Sequence, residues 1–418
     1  MKKIEQYEQS LSKDYIWSSI GVLAQSMTSP LLLLIVARFH GEVGVGVFSY
    51  LFSFSIMLWL LNLWGGRTYQ VADIGGKFSH QDYLLVRVIL AIVVLLIYIV
   101  IGILSGFGVF EFTLLFFLTL FKIFEAIADT FYGVLQASNY LYIVGRSLFV
   151  KAVFGVLLFL VVDMLFQNML LSTLSIALIN LIWLIVYDFR LTNQLYKYNK
   201  SNLWQSICNS FTIMKKTYVI CIVSVITTLT LNIPRIFLSQ SHEDQLGQFG
   251  IISMAVTAAA LVIVFIVQPY IRPISKYYFE KKMERINSII IRILVIILVI
   301  GCITIVFVYF LGVPFLNVLF KIDFSASHLA LIIITIGGLF GGLLSLFFNI
   351  LIIFQKIRDL FIVMLSTTLI LLVSSYFLVY SKGILGATMV YTICTFVQFV
   401  FSYMIFKRAI KTHIPHKE

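Results

Sequence analysis

Charge is scarce in this 418-residue chain: Asp, Glu, Lys and Arg together make up 11% of it, and only 18 side chains are acidic. Soluble globular domains carry about a quarter charged residues, so a soluble enzyme and a disordered chain are both excluded. Cysteine is nearly absent too. Cys208, Cys221, Cys302 and Cys394 are scattered without metal spacing, which excludes a disulfide scaffold and leaves reduced apolar fillers. With six histidines, no metal-spaced cluster, Walker motif or Ser/His/Asp arrangement can be assembled. His413 and His416 flank Pro415 in a tail that reads as solvated. What is abundant is hydrophobic side chain, 61% of residues, with a mean hydropathy of +1.04. At about 20 apolar residues per membrane-spanning helix, that is enough for roughly a dozen spans.

Continuous apolar runs bounded by charges and turn residues predict an all-α integral membrane protein with about twelve transmembrane helices. They fall at about 15–37, 47–65, 84–105, 112–136, 143–163 and 169–188, then at 216–238, 247–270, 288–311, 327–354, 360–380 and 383–406. Outer-membrane barrels show weakly alternating ten-residue segments instead. The polar stretch 189–215 divides the chain into two expected six-helix bundles, 1–195 and 196–418. An even number of spans per half gives both halves the same orientation, a parallel pseudo-repeat. A weak echo fits: Arg38 precedes Gly46-Val47-Phe48, and Arg235 precedes Gly247-Gln248-Phe249.

The net charge of +12 comes from 30 basic residues. With the N-terminus inside, 24 of them, among them Lys197, Lys200 and Lys417, fall in cytoplasmic segments or near cytoplasmic span ends. Four, Arg38, Arg235, Lys321 and Lys382, fall on the opposite side, and Lys122 and Lys151 lie within helices. The positive-inside rule produces such a bias, so both termini are expected in the cytoplasm. Residues 1–14 carry acids among the lysines and lead into a full span, which argues against a cleaved signal peptide. Topology explains the basic excess without nucleic acid.

The fourth helix draws attention because Lys122, Glu125, Asp129, Tyr132 and Gln136 share one face. Charges at membrane depth persist where they pair or line a cavity. Two readings stand side by side: an internally satisfied Lys–Glu pair, or a stripe that meets substrate or a coupling ion. Arg38 and Arg235 each end the first helix of a half, and either snorkelling or substrate contact suits them. Pro234 is expected to break its helix and act as a hinge. Lys151 and Arg292 lie about two turns inside a cytoplasmic end, where snorkelling is the favoured arrangement. Gln25, Asn62, Asn180, Asn349 and Gln398 are expected to hydrogen-bond between helices. Gly337, Gly338, Gly341 and Gly342 read as close helix packing or a flexible point.

The stretches Ala37-Arg38 with Gly46-Val47-Phe48, Asp129 to Gln136 leading to Tyr142, and Asn232-Ile233-Pro234-Arg235 leading to Gly247-Gln248-Phe249 resemble the Wzx-type polysaccharide flippases. Those belong to the multidrug/oligosaccharidyl-lipid/polysaccharide exporter superfamily, and the resemblance covers the whole chain. It implies a MATE-like, V-shaped pair of six-helix bundles in the bacterial cytoplasmic membrane. Such a protein flips an undecaprenyl-diphosphate-linked oligosaccharide to the outer leaflet by alternating access. Carried onto this chain, Arg38, Lys122, Arg235, Arg146 and Lys151 would meet the diphosphate. Glu125 and Asp129 would couple an ion or hold those bases. The implied partners are the lipid-linked oligosaccharide and membrane lipid, with room for a proton or sodium ion and for polysaccharide polymerase machinery; no cofactor is implied. Two alternatives remain: a multidrug antiporter of the same superfamily, and a membrane polysaccharide polymerase, for which no sizeable external loop is found.

Overall fold

The computed structural model describes residues 2–73, 77–138, 140–195, 203–354 and 356–413, and among them there are helices and turns but no strand. Lys197, Lys200 and Lys417, counted above for topology, lie outside the described residues. In chain order the helices are α1 (Lys2–Leu63), α2 (Gly66–Ala72), α3 (His80–Leu104), α4 (Val109–Ala137), α5 (Leu141–Phe166), α6 (Met169–Trp183) and α7 (Arg190–Leu195). Then come α8 (Leu203–Ser241), α9 (Leu246–Ile252), α10 (Met254–Phe279), α11 (Met283–Phe307), α12 (Val313–Phe320), α13 (His328–Ile353) and α14 (Ile357–His413).

Among the described residues, nine helical stretches are long and apolar enough to cross a membrane, and two of these, Ile16–Leu63 and Arg358–Ile410, are double length. Each double stretch turns at a glycine with positive φ: Gly41 at 67° and Gly383 at 55°. At Gly41 an added Cβ would meet nothing within 4 Å, so the need for glycine there is conformational. Adding α4, which is long enough but carries Lys122, Glu125 and Asp129, gives twelve crossings. The fold is therefore the all-helical, polytopic one expected.

Local chemistry sets several boundaries. Ser79 and Asp82 form a reciprocal capping box at the start of α3, satisfying two backbone donors that the helix leaves orphaned. Asn168 accepts from the amides of Leu170 and Leu171 and so opens α6. The described residues of the polar stretch 189–215, which are 189–195 and 203–215, are helical. A π-helical turn, Leu184–Phe189, carries the chain from α6 into α7, and α8 begins at Leu203, thirteen residues before the expected span. That early part of α8 is anchored on α3: Asn209 donates to the Asp82 carboxylate at 3.0 Å and Ser210 to the Asp82 carbonyl at 3.0 Å.

The helices fall into two units, one of Met1–His40 with Leu51–Val225, the other of Gly41–Tyr50 with Ile226–Glu418. In the first, α1 and α5 cross on glycines. A Cβ added at Gly21 would lie 2.7 Å from the Gly145 Cα, and one at Gly145 would lie 2.6 Å from the Ser18 amide. Backbone cannot move aside as a flexible side chain does, so Gly145→Val should destabilise by about 1–3 kcal/mol or more. An unchanged thermal-unfolding midpoint of the purified variant in detergent would contradict this contact. In the second unit, the glycines of α13 face two ways. A Cβ at Gly338 would meet the Val256 Cα of α10 at 3.0 Å, and one at Gly337 the Tyr391 ring of α14 at 2.8 Å. The glycine run is thus a close-packing device within an unbroken helix.

Candidate functional site

The α4 face holds together three polar clusters in the first unit, two of them partly buried and one fully buried. At its middle, the Lys122 ammonium donates to Glu125 at 2.7 Å and lies 4.5 to 5.4 Å from the ring centroids of Phe121, Phe52 and Trp59. Gln25 on α1 also donates to Glu125, at 3.3 Å. One helical turn on, Asp129 receives two arginines: Arg67 of α2 at 3.2 Å and Arg87 of α3 at 3.1 Å. Arg87 is 2% exposed and bonds further to Thr130 and to the carbonyls of Asn62 and Leu63, so it also satisfies the last turn of α1. Gln136 accepts from Arg67 at 3.0 Å.

The third cluster joins α4, α5 and the π-helical turn. Asp188 accepts from Ser147 at 2.6 Å and from the Tyr132 hydroxyl and Lys151 at 3.3 Å. Trp183 donates to Ser147 at 3.0 Å. Lys151 is buried; a carboxylate partner at the same depth removes the reason to reach for water, so it does not snorkel. Gln25, Thr28, Glu125, Lys151 and Asn180 line one narrow cavity among α1, α4, α5 and α6, which brings one acid and one base together with three neutral polar groups.

The second unit holds a different kind of site. Arg235 is 7% exposed. One guanidinium NH2 donates to the Ser49 carbonyl at 3.2 Å and the other to the Ser253 hydroxyl at 2.7 Å, and its centre lies 5.4 Å from the Phe249 ring centroid. Its Nε is buried and has no hydrogen-bond partner, and among the described residues no carboxylate pairs with it. Arg38 is exposed, so the two arginines that look equivalent in sequence sit in unlike surroundings. Arg146 is exposed and lies over the rings of Trp17 at 4.8 Å and Tyr142 at 5.6 Å. Pro234 does not break its helix: α8 runs through it from Leu203 to Ser241. Proline costs the helix one backbone donor, and the surrounding turns keep their geometry.

The charges can be balanced cluster by cluster. Lys122 with Glu125 and Lys151 with Asp188 are each neutral, Asp129 with two arginines leaves one positive charge and Arg235 leaves another, while the buried acids Asp82 and Asp163 have no lysine or arginine in an ion pair with them among the described residues. Positive excess is therefore local, at the two arginines on Asp129 and at Arg235, and it is at those places that an anionic ligand is suited. Burying an unpaired cation costs several kcal/mol, and such groups in membrane proteins mark functional sites by default.

Sequence reasoning missed Arg67, Arg87 and Asp188 because the first two were assigned to topology and the third to a span end. The usable signal was Asp129 itself, an acid at depth that requires a base. It also missed His40, whose ring nitrogen lies 2.9 Å from the fully buried Asp163, with Ser172 donating to the same carboxylate at 2.9 Å. The neutral polar groups divide. Gln25 and Gln398 bond across helices, Asn180 and Asn349 bond carbonyls of their own helix, and Asn62 is fully buried with neither amide atom paired.

No protein-family model matches the chain. A curated relative, the capsular polysaccharide biosynthesis protein CapF of Staphylococcus aureus, is 24% identical over 402 residues, spanning 95% of this chain and 99% of CapF. Among solved structures, an inward-facing multidrug resistance MATE family transporter of the MOP superfamily superposes with a TM-score of 0.71 at 13% identity, covering 96% of this chain and all of that one. The MATE multidrug transporter DinF-BH gives 0.69 at 15% identity, covering 96% and 95%. A MOP superfamily transporter from Pyrococcus furiosus, described as having a binding pocket of reversed polarity, gives 0.64 at 14% identity, covering 97% and 96%. The chain has the MATE transporter fold.

Proposed function

We propose that this membrane protein is a flippase that carries an undecaprenyl-diphosphate-linked oligosaccharide from the cytoplasmic to the outer leaflet for surface polysaccharide synthesis. The observation that carries the reading is Arg235, a buried guanidinium with an unpartnered Nε and no carboxylate beside it. A planar fork of five donors, only two of them engaged, matches a phosphate oxygen pair. The part CapF takes in capsular polysaccharide biosynthesis agrees with a glycan substrate.

The physics of the task fits. Each sugar hydroxyl buried without a partner costs a few kcal/mol, so the head group needs a polar path while the polyprenyl tail stays in lipid. An interior-negative potential favours outward movement of an anion by about 2.3 kcal/mol per charge per 100 mV. Outward flipping therefore proceeds without ion coupling, and inward return of the empty, cationic site is favoured by the same potential. Lys122 with Glu125 supplies a group that can respond to protons or sodium at that step. Arg38, Arg146 and Lys151 are secondary contacts in this scheme, since two are exposed and one is already paired. Both termini lie in the cytoplasm of a bacterial inner membrane, and the polymerase machinery receives the flipped unit.

A multidrug antiporter for lipophilic cations is the second reading, supported by the fold; a buried arginine with no carboxylate paired to it among the described residues disfavours it. Deleting the gene should abolish surface polymer and leave lipid-linked repeat units accumulating in the inner leaflet. Normal polymer with heightened drug sensitivity would favour the antiporter. Should the Lys122–Glu125 pair couple an ion, Glu125→Gln will remove any pH or sodium dependence of transport. Unchanged dependence assigns the pair to helix packing.

A further inference from the structure

The second span starts where the chain turns at Gly41, and its segment Gly41–Tyr50 belongs to the same unit as Arg235. That segment meets α9 backbone to backbone. A Cβ added at Gly46 would lie 3.2 Å from the Gly247 amide, one at Gly247 would run into the Glu42 carbonyl, and one at Gly250 would lie 2.8 Å from the Ser49 Cβ. Val45 is fully buried, and its Cγ1 lies 3.8 Å from that same added Cβ at Gly250. Arg235 ties the crossing together: it donates at once to the Ser49 carbonyl of the second span and to the Ser253 hydroxyl at the head of α10, and that hydroxyl donates on to the Gly250 carbonyl at 2.9 Å.

Both acceptors are neutral, and the Nε of the same guanidinium edge is unpaired. A phosphate approaching that edge gains the orphaned Nε–H together with the adjacent NH2. The guanidinium's bonds to Ser49 and Ser253 carry charge on the donor only, whereas a phosphate adds the attraction of an opposite charge and a bidentate fit, so the anion outcompetes Ser253, and turning the fork draws it from Ser49 as well. We propose that Arg235 is an anion-operated latch, which at rest clamps the Gly41–Tyr50 segment of the second span onto α9 and the head of α10 and which a diphosphate releases. This rests on the reading that the substrate is a lipid-linked diphosphate, and adds that binding and opening are one event at one side chain. The glycine crossing suits release, because Gly46, Gly247 and Gly250 have no side chains to unthread.

The test is thiol accessibility at the crossing. Val45→Cys is placed in a full-length chain whose four native cysteines, Cys208, Cys221, Cys302 and Cys394, are replaced by alanine, and maleimide labelling is followed in detergent. Inorganic pyrophosphate or a short polyprenyl diphosphate should speed labelling about tenfold, the equivalent of one lost charge-assisted bond, while the neutral polyprenol should not. Adding Arg235→Ala should give fast labelling without ligand and no further response. Slow labelling in that variant overturns the latch even if export is lost, and leaves Arg235 as a substrate contact. Fast labelling there, with no response of the Arg235-containing chain to either diphosphate, overturns the anion trigger and the substrate reading together. If Arg235→Ala does not fold, Ser253→Ala carries the test: it removes one acceptor and should raise the basal rate, and an unchanged rate overturns the latch.

Discussion

Arg235→Ala should lower surface glycan export by roughly 10- to 150-fold while the protein remains at its normal level in the membrane. The size follows from about 1.5–3 kcal/mol for a hydrogen bond to a charged group. Folding should survive because the substitution removes a buried cation that has no counter-charge among the described residues. What it leaves behind is the Ser49 carbonyl and the Ser253 hydroxyl, and the hydroxyl keeps its bond to Gly250. Arg235→Lys keeps the charge but loses the fork, so it should fall between the two. Quantified polymer together with membrane immunoblots reads both quantities; wild-type polymer in the alanine variant would remove Arg235 from the substrate path.

Asp129→Asn should do the reverse, damaging the fold far more than any ligand contact. Asp129 answers Arg87 at 3.1 Å and Arg67 at 3.2 Å, and Arg87 is 2% exposed. Without the carboxylate, a fully buried guanidinium is left uncompensated, a change that costs about 3–5 kcal/mol in buried pairs. Total stability is commonly about 5–15 kcal/mol, so most of the chain should fail to accumulate, and what remains should unfold at a much lower temperature. Normal accumulation and an unchanged unfolding midpoint would show that Arg87 is held by Thr130 and the α1 carbonyls alone. The contrast between the two variants, one losing transport with its fold intact and the other losing its fold, separates ligand-facing from structural charge in this protein.

The spans were legible because hydropathy periodicity and length depend on the chain alone, and so were the close helix contacts of the α13 glycines. The shared face of Lys122, Glu125, Asp129, Tyr132 and Gln136 was legible too, since helical geometry fixes which residues stack. Their partners were not. Asp129 finds Arg67 and Arg87 only when α2 and α3 pack beside α4, and counting those arginines as topological signals hid them. Arg38 and Arg235 read alike in sequence, yet one is exposed and the other buried, because position along a helix does not reveal which side faces a neighbour. The same limit explains Pro234. A proline signals one missing donor, and whether the helix breaks there depends on packing that this helix supplies.

Reconstitution tests the central claim most directly. Purified protein in lipid vesicles, supplied with a polyprenyl-diphosphate-linked oligosaccharide, should move the glycan between leaflets as read by its exposure to an external glycosidase or lectin. Movement should fall by at least about tenfold with Arg235→Ala, and a lipophilic cation should neither be transported nor compete. Vesicles that leave the lipid-linked glycan where it was placed but pump the cation would contradict the account.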